Sequence, residues 1–154
     1  MTRNVKFFVS AFMAFALILG MAAAQDIRTA TVTEIKGNVS VKTEGHDWQP
    51  AESGMLLHEK DEIKTFDKSS VLILLDQGGE TGKLELKEKS HLRLNTLKLD
   101  AQSGEKVTLL DLAIGKVLVY AEKLRGDSKF EVKTPTATTG VRGTVFEVSV
   151  EEKK

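Results

Sequence analysis

The stretch "VLILLDQGGETGKLELKEKSHLRL" at 71–94 decides the fold class. Leu84 and Leu86 alternate with Lys83, Glu85 and Lys87, and Leu92 and Leu94 alternate with His91 and Arg93. A two-residue period puts apolar side chains on one face of an extended chain and polar ones on the other. "VLILL" at 71–75 is apolar on both faces and reads as a central strand. "DQGG" at 76–79 supplies the turn between them.

The same period recurs on either side. Val39 and Val41 alternate with Ser40 and Lys42, Phe130 and Val132 with Lys129, Glu131 and Lys133, and Phe146, Val148 and Val150 with Glu147 and Ser149. "KVLVY" at 116–120 is a second central strand. "KGN" at 36–38, "QSGE" at 102–105 and "RGDS" at 125–128 are turn signals. After Asn95 the apolar phase flips to Leu97 and Leu99, which predicts a bulge or a strand end. Residues 105–124 carry two readings. Val107, Leu110, Ile114, Val117, Ala121 and Leu124 fit a helical stripe, but Gly115 and the β-branched residues favour two strands turning near Gly115. The expected architecture is all-β, with about ten short strands in a sandwich, roll or short solenoid.

The first 24 residues have a different character. Arg3 and Lys6 precede an apolar run from Phe7 to Met21, and small residues follow at Ala22–Ala24. This is the layout of a secretory signal peptide, with cleavage expected after Ala24; an uncleaved anchor is the alternative. Residues 25–154 then form a single all-β domain, periplasmic or secreted, with no membrane span after cleavage. The chain has no cysteine, so it folds without disulfides. Its 22 basic and 22 acidic residues leave no net basic excess for a nucleic-acid ligand.

Catalytic chemistry finds no support. His46, His58 and His91 share no metal-ligand spacing and read as surface residues. No serine lies in a G-x-S-x-G frame, and no phosphate-binding glycine loop follows a strand. Adjacent acids such as Asp61–Glu62 point to opposite faces of a strand. No cofactor or metal is expected. "RGD" at 125–127 reads as a turn rather than an adhesion motif. Trp48 either caps one end of the core or offers a platform for a sugar.

The segment "TPTATTGVRGTVFEV" at 134–148 is left. Thr134–Pro135 is extended, and Gly140 and Gly143 allow positive φ or close backbone approach. Arg142 sits between the glycines, and its guanidinium could tie loop carbonyls or a carboxylate, with Asp61 and Glu62 as candidates. The local reading is an arginine-pinned crossover before a final strand beginning at Thr144; an anion-binding nest is the alternative.

These residues closely resemble the hallmark of the FecR domain family, roughly V-x-TP-x-A-x-x-x-VRGT-x-F-x-V. Val132, Thr134, Pro135, Ala137, Val141, Arg142, Gly143, Thr144, Phe146 and Val148 all match. "VTEIKGNVSV" at 32–41 resembles the family's opening hairpin, and "GMLLHEKDEIKT" at 54–65, "SSVLILLDQGG" with "LELKEKSHLRL", and "LAIGKVLV" resemble its later strands. The likeness spans about 28–150. Lys60 departs from it, standing where the family usually has glycine. The resemblance implies an all-β, non-enzymatic domain outside the cytoplasm. In the best-known members it belongs to a membrane-spanning regulator relaying a signal from an iron-siderophore receptor to a sigma factor. Only six residues precede the apolar run here, so no sigma-factor contact is expected, and the chain resembles a stand-alone exported FecR-domain protein. The expected role is a protein-interaction or signalling module of the cell envelope. Its expected partner is an unidentified envelope protein pairing with the strand 144–150, through the outward positions Val145 and Glu147. A cell-wall glycan or small-ligand binder using Trp48 is the alternative.

Overall fold

The computed structural model describes residues 27–141, 143 and 145–151. The expected signal peptide and its cleavage point lie outside these residues. The fold is all-β. The described residues form twelve strands: β1 (Ala30–Lys36), β2 (Val39–Lys42), β3 (Gln49–Pro50), β4 (Leu56–Leu57), β5 (Glu62–Thr65), β6 (Ser70–Leu75), β7 (Gly82–Leu86), β8 (His91–Leu99), β9 (Lys106–Ala121), β10 (Lys129–Lys133), β11 (Thr138–Val141) and β12 (Val145–Val150).

They form one curled sheet in two halves that share β9. The first half runs β4-β1-β6-β7-β9-β12 and is antiparallel throughout. The second runs β3-β2-β5-β8-β9-β10-β11, with β10 parallel to β9 and the other pairs antiparallel. The inner faces of both halves close over one continuous core. Leu84 and Leu86 of β7, Leu92 and Leu94 of β8, and Phe130 and Val132 of β10 are buried there, as the alternation predicts. Truncating a buried leucine of this kind to alanine typically costs about 2–5 kcal/mol.

The segment 105–124 differs from expectation. It is neither a helix nor a pair of strands turning at Gly115 but one 16-residue strand. Its first part pairs with β8 and β10, and its last part with β7 and β12. Gly115 is the kink between the two, at φ 91°. A Cβ there would stand 2.4 Å from Ser90 Cα. Only glycine permits both the backbone angle and the approach. Ser90 Oγ accepts the Lys116 N–H at 2.9 Å and fastens the bend.

The stretch resembling an opening hairpin also departs. β1 joins β6 in the first half, whereas β2 joins β5 in the second. The Gly37–Asn38 connection therefore carries the chain across the core, with Asn38 N–H bonded to Ser69 Oγ at 2.8 Å. The phase flip near Asn95 is a bulge: β8 and β9 shift register between Leu94 and Thr96, which brings Leu97 into the core.

Candidate functional site

The hallmark segment builds a hairpin. β10 and β11 pair from Phe130↔Val141 to Lys133↔Thr138. Thr134 organises the turn between them. Its N–H donates to Ala137 O at 2.8 Å, and its Oγ1 accepts the Ala137 N–H at 3.0 Å. Pro135 follows at the position where its fixed φ suits a turn. Gly140 lies in β11 opposite Glu131, and an added Cβ would meet only Glu131 Cγ, at 4.0 Å. Gly143 is the glycine that uses its freedom: its φ is 68°, and an added Cβ would lie 3.0 Å from Lys123 Cα. Arg142 and Thr144 lie outside the described residues, so the pinning contact of Arg142 does too.

Of the two carboxylates considered for Arg142, Asp61 is buried and already engaged. Its Oδ1 accepts the Glu44 N–H at 3.1 Å and its Oδ2 the His58 N–H at 2.8 Å. Glu62 faces outward and meets His91 Nε2 at 2.6 Å. Lys60, standing where the resemblance expects glycine, adopts φ 79°. Its Nζ donates to the Asn95 carbonyl oxygen and to Asn95 Oδ1 at 2.6 and 2.8 Å.

After Gly143 the chain enters β12, which pairs with β9 from Val145↔Tyr120 to Val150↔Gly115. Among the described residues β12 pairs with no other strand. Val145, Glu147 and Ser149 point outward and are exposed, Val145 to 61%. Phe146, Val148 and Val150 point inward and pack against the core, yet stay only half-buried. Glu147 forms an ion pair with Lys116 Nζ at 3.2 Å.

Trp48 lies far from this edge in sequence, against outward-facing residues of the second half-sheet. Lys64 Nζ sits 4.2 Å from its ring centroid, and His91 meets its ring edge-on at 5.7 Å. It thus covers the outside of β5 and β8 rather than an end of the core. A stacked sugar would use the opposite ring face or displace Lys64. His46 and His58 are exposed. "RGD" sits in the connection between β9 and β10, with Gly126 at φ 61° and the Ser128 N–H donating to Arg125 O at 3.3 Å.

One polar cluster has no signal in the sequence. Arg28 is buried and grips Asp76 through Nε and Nη2 at 2.8 and 3.1 Å. The same guanidinium donates to Lys98 O, Val107 O and Thr108 Oγ1. Lys106 Nζ and Thr81 Oγ1 also donate to Asp76. Burial pushes the Asp76 carboxyl up, but the hydrogen bonds from Arg28 and Thr81, the charge of Arg28 and the bond from Lys106 outweigh it. The carboxyl is held below the usual range. Every polar arm is satisfied, so the cluster ties Arg28, just ahead of β1, to β8, β9 and the β6–β7 connection. In the sequence, "DQGG" signals only a turn, and nothing links Arg28 to a residue 48 positions away. Among the described residues no group of three or more His, Asp or Glu side chains could hold a metal ion. No helix among them is long and apolar enough to cross a membrane.

One curled β-sheet whose two halves are joined by a Thr-Pro hairpin and a Gly143 crossover is what the hallmark segment helps to build. The model of the FecR protein family matches residues 61–154. The chain belongs to the FecR family. This is a regulatory and signalling family of the cell envelope, not an enzyme family. The match begins at Asp61, so β1–β4 lie outside it, although β1 and β2 complete both half-sheets of this FecR domain. No curated protein and no solved structure matches the chain.

Proposed function

We propose that the chain is a non-enzymatic, exported interaction or signalling module of the cell envelope, and that it engages a partner protein by strand addition to β12. The observation that carries this reading is the ladder of β12: it is spent on β9 along one edge, and no described strand takes the other. An open strand edge offers main-chain donors and acceptors to an extended segment, and exposed side chains at alternate positions supply selectivity. Val145, Glu147 and Ser149 occupy those positions.

The test is photo-crosslinking in the producing cells from a light-activated residue at 145 or 147, read by mass spectrometry. A dominant adduct to one other protein from both positions is expected. Absence of any protein adduct, with the domain folded and abundant, overturns the reading.

A further inference from the structure

We propose that the β12 edge is self-complementary, and that two copies of this chain pair through it, antiparallel about a two-fold axis that passes through Val148. This deepens the interaction reading above and rests on the same open edge.

The other sheet margins are poor partners for it. β3 and β4 are two residues long, and β3 ends in Pro50. β11 has four residues, one of them Gly140. β12 has six and presents a half-buried apolar row, Phe146, Val148 and Val150, that β9 alone does not cover.

Register selects the arrangement. A one-residue slip would swap the inner and outer faces, so only every second register keeps the apolar row on one side. Two of these pair most of the strand. With Glu147 on the axis, two carboxylates stand directly opposite each other, which is destabilising. With Val148 on the axis, Val148 faces its own copy, Phe146 faces Val150, Glu147 faces Ser149 and Val145 faces Glu151. No like charges then oppose.

The neighbouring rows fit as well. In the first half-sheet Val117 lies beside Val148 and Val119 beside Phe146. The inner row through the axis would read Val117, Val148, then Val148 and Val117 of the second copy. On the outer face Lys116 lies beside Ser149. Ser149 would face Glu147 of the second copy, so Lys116 and that carboxylate stand two strand spacings apart, about 9.5 Å. Both side chains are long and the serine between them is small. Lys116 already pairs with Glu147 of its own chain and would be shared between the two carboxylates. Self-pairing and capture of another protein's strand use one edge and exclude each other. The dimer is therefore the resting form, which a partner must open.

The chain's lack of cysteine makes the test clean. Directly opposed residues of antiparallel strands have Cα atoms about 4.5–5.5 Å apart, within disulfide range. In the full chain, purified as the cell leaves it and mildly oxidised, Val148→Cys should give a linked dimer. Glu147→Cys should give at least about tenfold less. Mixing Glu147→Cys with Ser149→Cys chains should restore the link. A second variant avoids the core: Ser149→Glu places like charges opposite each other twice per dimer. It should weaken dimerisation in sedimentation equilibrium by about tenfold. Adding Glu147→Ser to it should restore the dimer.

A wild-type chain that stays monomeric at several hundred micromolar overturns the proposal. So does linkage through residue 147 rather than 148, or a dimer indifferent to Ser149→Glu. A monomer in solution together with a heterologous adduct in cells would sink self-pairing and leave the interaction reading standing. A dimer in solution with no adduct from 145 or 147 to any other protein would do the reverse.

Discussion

Gly115→Ala probes the bend on which both half-sheets depend. The substituted residue would be forced to φ near +91°, and its Cβ would stand 2.1 Å from Ser90 Oγ and 2.4 Å from Ser90 Cα. A left-handed backbone costs a non-glycine residue about 1–2 kcal/mol. Overpacking against a neighbour that cannot rotate away adds about 1–3 kcal/mol. Ser90 is buried, and its hydroxyl is bonded both to Glu88 O and to the Lys116 N–H, so it has little freedom to retreat. Together these give a loss of about 2–5 kcal/mol. For a domain of this size, about 4 °C per kcal/mol is typical, so the melting temperature should fall by about 8–20 °C. Gly104→Ala supplies the control. Gly104 has φ 73° but nothing within 4 Å of an added Cβ. It should lose only the backbone term, about 4–8 °C. The assay is thermal unfolding of the two variants and the wild type, followed by circular dichroism. If Gly115→Ala melts no lower than Gly104→Ala, the close approach of Ser90 is not what holds the kink, and the account of β9 is wrong.

Three further outcomes follow from the same contacts. Asp76→Asn leaves the buried Arg28 without its anion and Lys106 with Glu80 alone, and should cost about 3–5 kcal/mol in chemical denaturation. The Asp76 carboxyl is held below its ordinary value of 3.8 in the folded chain, so its contribution is present above that pH and is lost as pH falls through the folded value. The wild type should therefore lose stability on acidification below about pH 4, and Asp76→Asn should show a flatter acid limb. At position 60, where φ is 79°, the Lys60→Gly variant should be more stable than Lys60→Ala by about 1 kcal/mol; equal melting curves would remove the positive φ. Thr134→Val removes the hydroxyl that accepts the Ala137 N–H and should cost about 1 kcal/mol, with faster amide exchange in the β10–β11 turn.

Strand character was legible wherever one face is buried and the other wet, because a period of two leaves few alternatives. Leu84, Leu86, Phe130 and Val132 are inside, and Lys83, Lys129 and Lys133 are outside. The path of β9 was not legible, and the reason is geometric. Before the kink its buried residues are the even-numbered Leu110 and Leu112; after it they are Val117 and Val119. A parity change inside one strand spaces apolar residues three or four apart, and that is the spacing of a helical face. Two-residue strands such as β3 and β4 carry no period to read. The crossing from β1 to β2 also escaped, since a short glycine turn between alternating runs is what a hairpin looks like.

The hallmark segment yielded its fold more readily than its use. Among its described residues the chemistry is spent locally: Thr134 on the hairpin turn, and Gly143 on passing Lys123. What these residues deliver is the position of the strand after them. The Thr-Pro hairpin ends sheet growth on one half, and the glycine crossover returns the chain to the other half beside β9. β12 of the FecR domain is thereby laid down with an edge unoccupied among the described residues. On this reading, substitutions inside the turn should alter binding only as far as they loosen β12. Thr134→Val and Ser149→Glu should therefore differ in kind. The first should lower stability and leave self-pairing of the folded fraction intact. The second should leave the melting temperature of the monomer unchanged and weaken pairing by about tenfold. Coincident loss of both properties in both variants would show that stability and the edge cannot be separated.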